Sequence, residues 1–184
     1  THRAALTMRI INWGIAVLLL GGIGALMPSF LRRGYVVAMA AAWTPMGIYF
    51  IASNNPSSWA FSGVLAFAAG LWSAANSEGW RRWSLMGGAA IGALLACTSR
   101  ADAAFFLFVV SAALIFAVRW RRDRWPEGVL ALLASIIGIL IMRSTSVASN
   151  TLVSTDTPNM SAIQALAANL HALPQFFAGF YGYR

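Results

Sequence analysis

The ten residues CTSRADAAFF, Cys97–Phe106, carry an arginine and an aspartate in the middle of a long apolar run. That run extends over residues 84–118, and a single helix of this length would measure about 50 Å, because each helical residue adds about 1.5 Å. The hydrocarbon core of a bilayer is only about 30 Å thick. Arg100 and Asp102 therefore mark either a break between two membrane spans or a polar site inside one tilted span.

Composition places the chain among integral membrane proteins. Hydrophobic residues make up 59% of it and charged residues 10%, whereas soluble domains average about 45–50% and about 25%. The net charge of +8 is due to arginine, since the chain has no lysine. No basic helix stands outside the apolar runs, so we expect no nucleic-acid partner. Excess arginine in a membrane chain is typical of cytoplasmic loops beside anionic lipid, and the expected partner is the lipid bilayer.

A membrane-length window along the sequence predicts an all-α, polytopic bundle of about six transmembrane spans. The predicted spans cover residues 10–31, 34–52, 59–76, 84–98, 103–118 and 128–142. Residues 143–184 are predicted to form an exoplasmic segment, in which Ser161 and Gln164 have capping-box spacing at the start of a short amphipathic helix. The chain begins with threonine, so we expect it to be a segment of a longer protein.

The distribution of arginine favours a break at Arg100 over one tilted span. If the chain turns there, eight arginines share the cytoplasmic side: Arg32, Arg33, Arg81, Arg82, Arg119, Arg121, Arg122 and Arg124. An unbroken span over residues 84–118 would place the EGWRR and RWRRDR clusters on opposite faces of the membrane. We therefore predict two antiparallel helices joined by an outward-facing turn.

Three further patterns are typical of membrane bundles. Gly88 and Gly92 have the small-xxx-small spacing that permits close contact between helices. Pro45 is expected to kink the second span. Tryptophans flank the arginine loops as an interfacial belt would: Trp80, Trp83, Trp120 and Trp125.

The candidate binding residues lie at the predicted external junctions. The first group belongs to SNNPSSW, Ser53–Trp59, where Ser57 or Ser58 is placed to cap the third span. One interpretation is a helix cap followed by a turn. The other is that Asn54, Asn55 and Ser57, with the free N–H groups at this helix start, face a polar ligand.

The second group is Arg100 and Asp102. Charged side chains at membrane depth usually face a cavity or each other. Positions two apart point to different sides of a regular helix, so a mutual ion pair requires a turn here. One interpretation is a snorkelling arginine with a helix-capping aspartate. The other is that Arg100 clamps a phosphate through its bidentate fork, while Asp102 accepts from a sugar hydroxyl or orients Arg100.

We expect no metal and no cofactor. Cys97 is the only cysteine, and His2 and His171 lie far apart without neighbouring ligands. The sequence contains no Gly-rich phosphate loop, HExxH, nucleophile elbow or Walker pattern. No catalytic residue is assigned.

The motifs NPSSWA and SRADAAFF, with the ending NLHALPQFFAGFYGYR, resemble the bacterial integral-membrane proteins of domain-of-unknown-function family 2142. That family looks like a relative of the GT-C polytopic glycosyltransferases, which take sugars from polyprenyl-phosphate donors on the external face. The resemblance implies a multi-pass protein of the bacterial plasma membrane that builds cell-envelope glycans. GT-C enzymes usually keep a catalytic acid in their first external loop, and this segment shows no such loop. The resemblance therefore places that acid upstream.

Two other functions remain open on the sequence alone. A transporter or flippase would show internal repeats and ionisable residues near the midplane, and here the charges lie at the ends of the spans. A non-catalytic scaffold for other envelope-assembly proteins would agree with the shortage of external carboxylates.

Overall fold

A computed structural model describes residues 2–42, 45–118, 122–144 and 171, and over these residues it contains seven α-helices and no strand. The helices are α1 (His2–Leu26), α2 (Ser29–Ala42), α3 (Pro45–Ile51), α4 (Ser57–Ala75), α5 (Gly79–Ser99), α6 (Ala101–Ala117) and α7 (Trp125–Ser144), with a 3-10 turn at Arg122–Arg124. The all-α prediction is confirmed.

The chain divides into two units, residues 1–145 and residues 146–184. The seven helices named above belong to the first unit. The predicted amphipathic helix after Ser161 lies outside the described residues, as does the exoplasmic segment apart from residues 143–144 and His171.

Two helix boundaries lie next to prolines, at positions that differ from those predicted by the hydropathy window. The first helix ends at Leu26, before Pro28, whose missing N–H and ring prevent the helix from continuing. Arg32 and Arg33 consequently lie on α2, whereas the sequence prediction placed them in a connector. The predicted span over residues 34–52 is likewise divided, because one helix ends at Ala42 and the next begins at Pro45.

Helices α4 and α5 pack most closely, through small residues. A Cβ atom on Gly63 would lie 2.6 Å from the carbonyl oxygen of Gly92, and one on Gly92 would lie 2.7 Å from that of Gly63. Gly70 makes a similar approach to Ala89 about two turns further along α4. The predicted close contact at Gly92 is confirmed, and its partner on α4 is Gly63, whereas a Cβ atom on Gly88 would meet Ile23 of α1.

We expect Gly63→Ala to destabilise the bundle by about 1–3 kcal/mol, since the new methyl group meets backbone atoms that cannot move away. Gly87→Ala is the matched control, because a Cβ atom there meets nothing within 4 Å. Thermal unfolding of the purified protein in detergent measures both. Equal unfolding temperatures for the two variants would show that the Gly63–Gly92 contact does not limit packing.

The break at Arg100 is confirmed. Helix α5 ends at Ser99, Arg100 is extended (φ −154°, ψ 149°), and α6 begins at Ala101. At one end of the bundle Arg100 bonds to Ser57 at the start of α4. At the other end Arg124, just before α7, bonds to the carbonyl of Ser77, just after α4. Since α6 connects the two ends, it runs antiparallel to α5, and one tilted span is excluded.

Helix α1 runs between the same two ends. Asn12 of α1 lies beside Ser53 and Trp59, whereas Met27, directly after α1, belongs to an apolar cluster with Leu85 and Ala74. We call the end that contains Ser53–Trp59 and Arg100 the elbow end. We call the end that contains Ser77, Arg82 and Arg124 the arginine end.

Candidate functional site

An open groove of about 560 Å³ lies between α4 and α6 at the elbow end. Its walls are mainly apolar, and three polar side chains stand at one side: the lining residues are Ser57, Ala60, Phe61, Val64, Leu65, Arg100, Asp102, Ala103 and Phe106. Its volume falls in the range of about 300–1,000 Å³ that is typical of small-molecule sites. The elbow places Arg100 and Asp102 in the groove because α6 starts directly after the extended residue.

Arg100 is held from two sides. Its Nε donates to Asp102 Oδ1 at 2.9 Å, and its Nη1 donates to Ser57 Oγ at 3.1 Å. Its Nη2 has no partner among the described residues. The ion pair is about half exposed, with side-chain exposures of 46% for Arg100 and 56% for Asp102. An oriented guanidinium whose Nη2 is free among the described residues is able to donate to an anion.

Asp102 and Asn55 fix the backbone around this pair. Asp102 Oδ1 also accepts from the N–H of Ala103, in the first turn of α6. Asn55 Oδ1 accepts both the backbone N–H and the hydroxyl of Ser57, each at 3.1 Å. The prediction that Ser57 or Ser58 caps α4 is therefore wrong. Asn55 supplies the acceptor, and Ser58 Oγ donates back to the carbonyl of Ile51 at 2.6 Å.

The structure brings together Ser57, Arg100 and Asp102 as groove residues, and it leaves Asn54 and Asn55 out of the lining. Asn54 is exposed. Asn55 acts on the groove indirectly, since it holds the hydroxyl to which Arg100 donates. The five candidates thus divide into three side chains at the groove, one support and one exposed amide.

Asn12 was not a sequence-based candidate, although it positions the same loop. It is 8% exposed; its Nδ2 donates to the carbonyl of Ser53 at 2.8 Å, and its Oδ1 accepts from Trp59 Nε1 at 3.0 Å. A single amide within an otherwise apolar stretch of α1 was the signal that could have identified it.

A second polar cluster lies at the arginine end, and we call it the Glu127 cluster: Arg82, Arg124 and Glu127. Glu127 is fully buried and accepts from Arg82 Nε at 2.5 Å and Nη2 at 2.7 Å. Arg124 Nη1 donates to the carbonyls of Ser77 and Ala74 at the end of α4.

Sequence reasoning treated the RWRRDRW loop as a membrane anchor and missed Glu127. The available signal was Pro126 followed by an acid, a pair typical of the first turn of a helix. The cluster joins α5, α7 and the end of α4, and it faces away from the elbow end. It is therefore a structural element distinct from the groove.

Two helices among the described residues are long and apolar enough to cross a membrane, Arg3–Leu26 and Ser57–Ala75. Asp102–Ala117 and Trp125–Ile141 are shorter apolar helices. Within the described ranges, no three His, Cys, Asp or Glu side chains gather where they could hold a metal ion.

A family model described as "Predicted membrane protein (DUF2142)" matches residues 1–181 of the chain. No curated protein and no solved structure matches it.

Proposed function

Because the chain belongs to the DUF2142 family of predicted membrane proteins, we propose that it is a multi-pass protein of the bacterial plasma membrane with about six crossings. The crossings would be α1, α2 together with α3, α4, α5, α6 and α7. The alternation of these segments between the two ends of the bundle supports this topology. The arginine end would then face the cytoplasm and the elbow end the outside, in agreement with the positive-inside rule.

We propose further that the protein is part of a GT-C-like glycosyltransferase, and that the groove at the elbow end holds the polyprenyl-phosphate part of a sugar donor. One observation carries this proposal: the groove combines an oriented arginine at one side with long apolar walls. A polyprenyl phosphate has an anionic phosphate at one end, which would meet the arginine, and a long apolar chain, which would lie along the walls.

Different groove residues would contact different parts of the proposed donor. Arg100 Nη2 would bind a phosphate oxygen, with Ser57 and Asp102 holding the guanidinium in place. The isoprenoid chain would lie along Phe61, Val64 and Phe106. Asp102 is exposed enough to accept from a sugar hydroxyl. The chemical step is assigned to no residue of this segment.

The test measures binding of a polyprenyl-phosphate sugar donor to the purified protein, together with transfer of the labelled sugar. Both are then measured in a variant whose groove is filled by a larger side chain. Ala60→Phe puts a ring into the apolar wall, so we expect at least a tenfold loss of donor binding. Ala68→Phe is the matched control, since Ala68 lies on the same helix, is also partly exposed and does not line the groove. Donor binding unchanged by Ala60→Phe would overturn the assignment of the groove.

A further inference from the structure

The structure separates the arginines of the arginine end into two kinds. Arg82 and Arg124 point inward to the Glu127 cluster, and Arg32 donates to the carbonyls of Ala25 and Met27 at 3.3 Å. Arg33 and Arg81 are exposed, and neither forms an ion pair or a hydrogen bond with any described residue. Among the described side chains of this end, Arg33 and Arg81 thus carry positive charge that no described acid neutralises.

Three exposed tryptophans lie at the same end of the bundle. Trp80 and Trp83 lie on the first turns of α5 beside Arg81, and Trp125 starts α7 beside the Glu127 cluster. Their exposed fractions are 65%, 59% and 68%. An exposed indole has an apolar body and one N–H donor, which suits the headgroup layer of a bilayer. The rings mark the depth at which lipid phosphates would meet the neighbouring arginines.

We propose that this surface, Arg33, Arg81, Trp80, Trp83 and Trp125, binds the headgroups of anionic phospholipids. Charge complementarity identifies the partner. A phosphodiester without a compensating cation pairs with a guanidinium fork, whereas a zwitterionic headgroup carries its own cation close to the phosphate. The proposal does not depend on the groove, since it uses the opposite end of the bundle and different residues.

The experiment is a lipid-retention measurement on the full chain. The protein is placed in nanodiscs of phosphatidylglycerol and phosphatidylcholine in equal amounts, and the lipids that remain after transfer to mild detergent are counted by native mass spectrometry. We expect retention of phosphatidylglycerol to exceed that of phosphatidylcholine. In Arg33→Gln/Arg81→Gln we expect this preference to fall by about a factor of five for each arginine removed.

Arg3→Gln/Arg9→Gln is the matched control, because it removes the same charge from exposed positions on the first half of α1. We expect this control to keep its lipid preference, and Arg33→Lys/Arg81→Lys to keep part of it. Inorganic phosphate at equal concentration should not displace the retained lipid. An equal fall in both glutamine pairs, or equal retention of the two lipids by the wild-type protein, would overturn the proposal.

Discussion

Replacing Glu127 with alanine is expected to lower the free energy of unfolding by about 3 kcal/mol or more, since removal of one partner from a buried ion pair leaves the other charge uncompensated. Glu127 is fully buried, and Arg82 and Arg124 have side-chain exposures of only 14% and 7%. For a chain of this size the loss corresponds to a fall in unfolding temperature of roughly 6–12 °C. Thermal unfolding in detergent measures it directly.

Glu78→Ala is the control for this effect. Glu78 Oε1 lies 3.9 Å from Arg124 Nη2, yet the Glu78 side chain is 90% exposed, so we expect a change below about 0.5 kcal/mol. Replacing both partners, as in Arg82→Met/Glu127→Leu, should restore most of the stability, because the Arg82–Glu127 pair is removed whole and Arg124 keeps Asp123 at 3.4 Å. A single Glu127 variant as stable as Glu78→Ala would show that the cluster does not hold α5 and α7 together.

Replacing Arg100 with alanine is expected to weaken binding of a polyprenyl phosphate by about tenfold to a hundredfold. The estimate rests on one or two hydrogen bonds to a charged group, each worth about 1.5–3 kcal/mol. Farnesyl phosphate, a short and dispersible lipid phosphate, is the probe, and its dissociation constant is measured in detergent. Farnesol reports the contribution of the apolar chain alone, and its affinity should not change.

Three variants make this result specific. Arg100→Lys keeps the charge but loses the planar fork, so we expect an intermediate loss. Asp102→Asn removes a negative charge beside the phosphate and should cost less than Arg100→Ala. Arg9→Ala removes an exposed arginine that does not line the groove, and it should have no effect. Equal losses in Arg100→Ala and Arg9→Ala would mean that net charge, and not the groove, determines the affinity.

The sequence predicted the helical bundle and its break because both follow from local rules. A charged pair in a run too long for one crossing indicates a turn once the arginine clusters on either side are compared, and Arg100 provides that turn with a single extended residue. The small residues at Gly88 and Gly92 indicated a close helix contact, although their separate partners, Ile23 on α1 and Gly63 on α4, could not be identified without the fold. The prolines were visible too, but a hydropathy window averages over Pro28 and moves the helix end by several residues.

Contacts that join distant parts of the chain were not predictable. Arg82 and Glu127 are 45 positions apart, and Asn12 and Trp59 are 47 apart. The residues next to each of these side chains in the sequence do not indicate which distant residue it contacts in the fold. The same holds for the groove, where Ser57 and Arg100 are 43 positions apart. Their association was inferred only from a shared side of the membrane, and the structure supplies the hydrogen bond.

The one-residue link between α5 and α6 fixes the rotational phase of α6. A single inserted residue would turn α6 by about 100° around its axis, since a helix has 3.6 residues per turn. Ala103, Ala104 and Leu107, now buried in the core, would leave it, and the exposed rings of Phe105 and Phe106 would have to enter. The elbow therefore tolerates substitutions more readily than insertions or deletions. Insertions and deletions in this protein should be confined to its other interhelical connections.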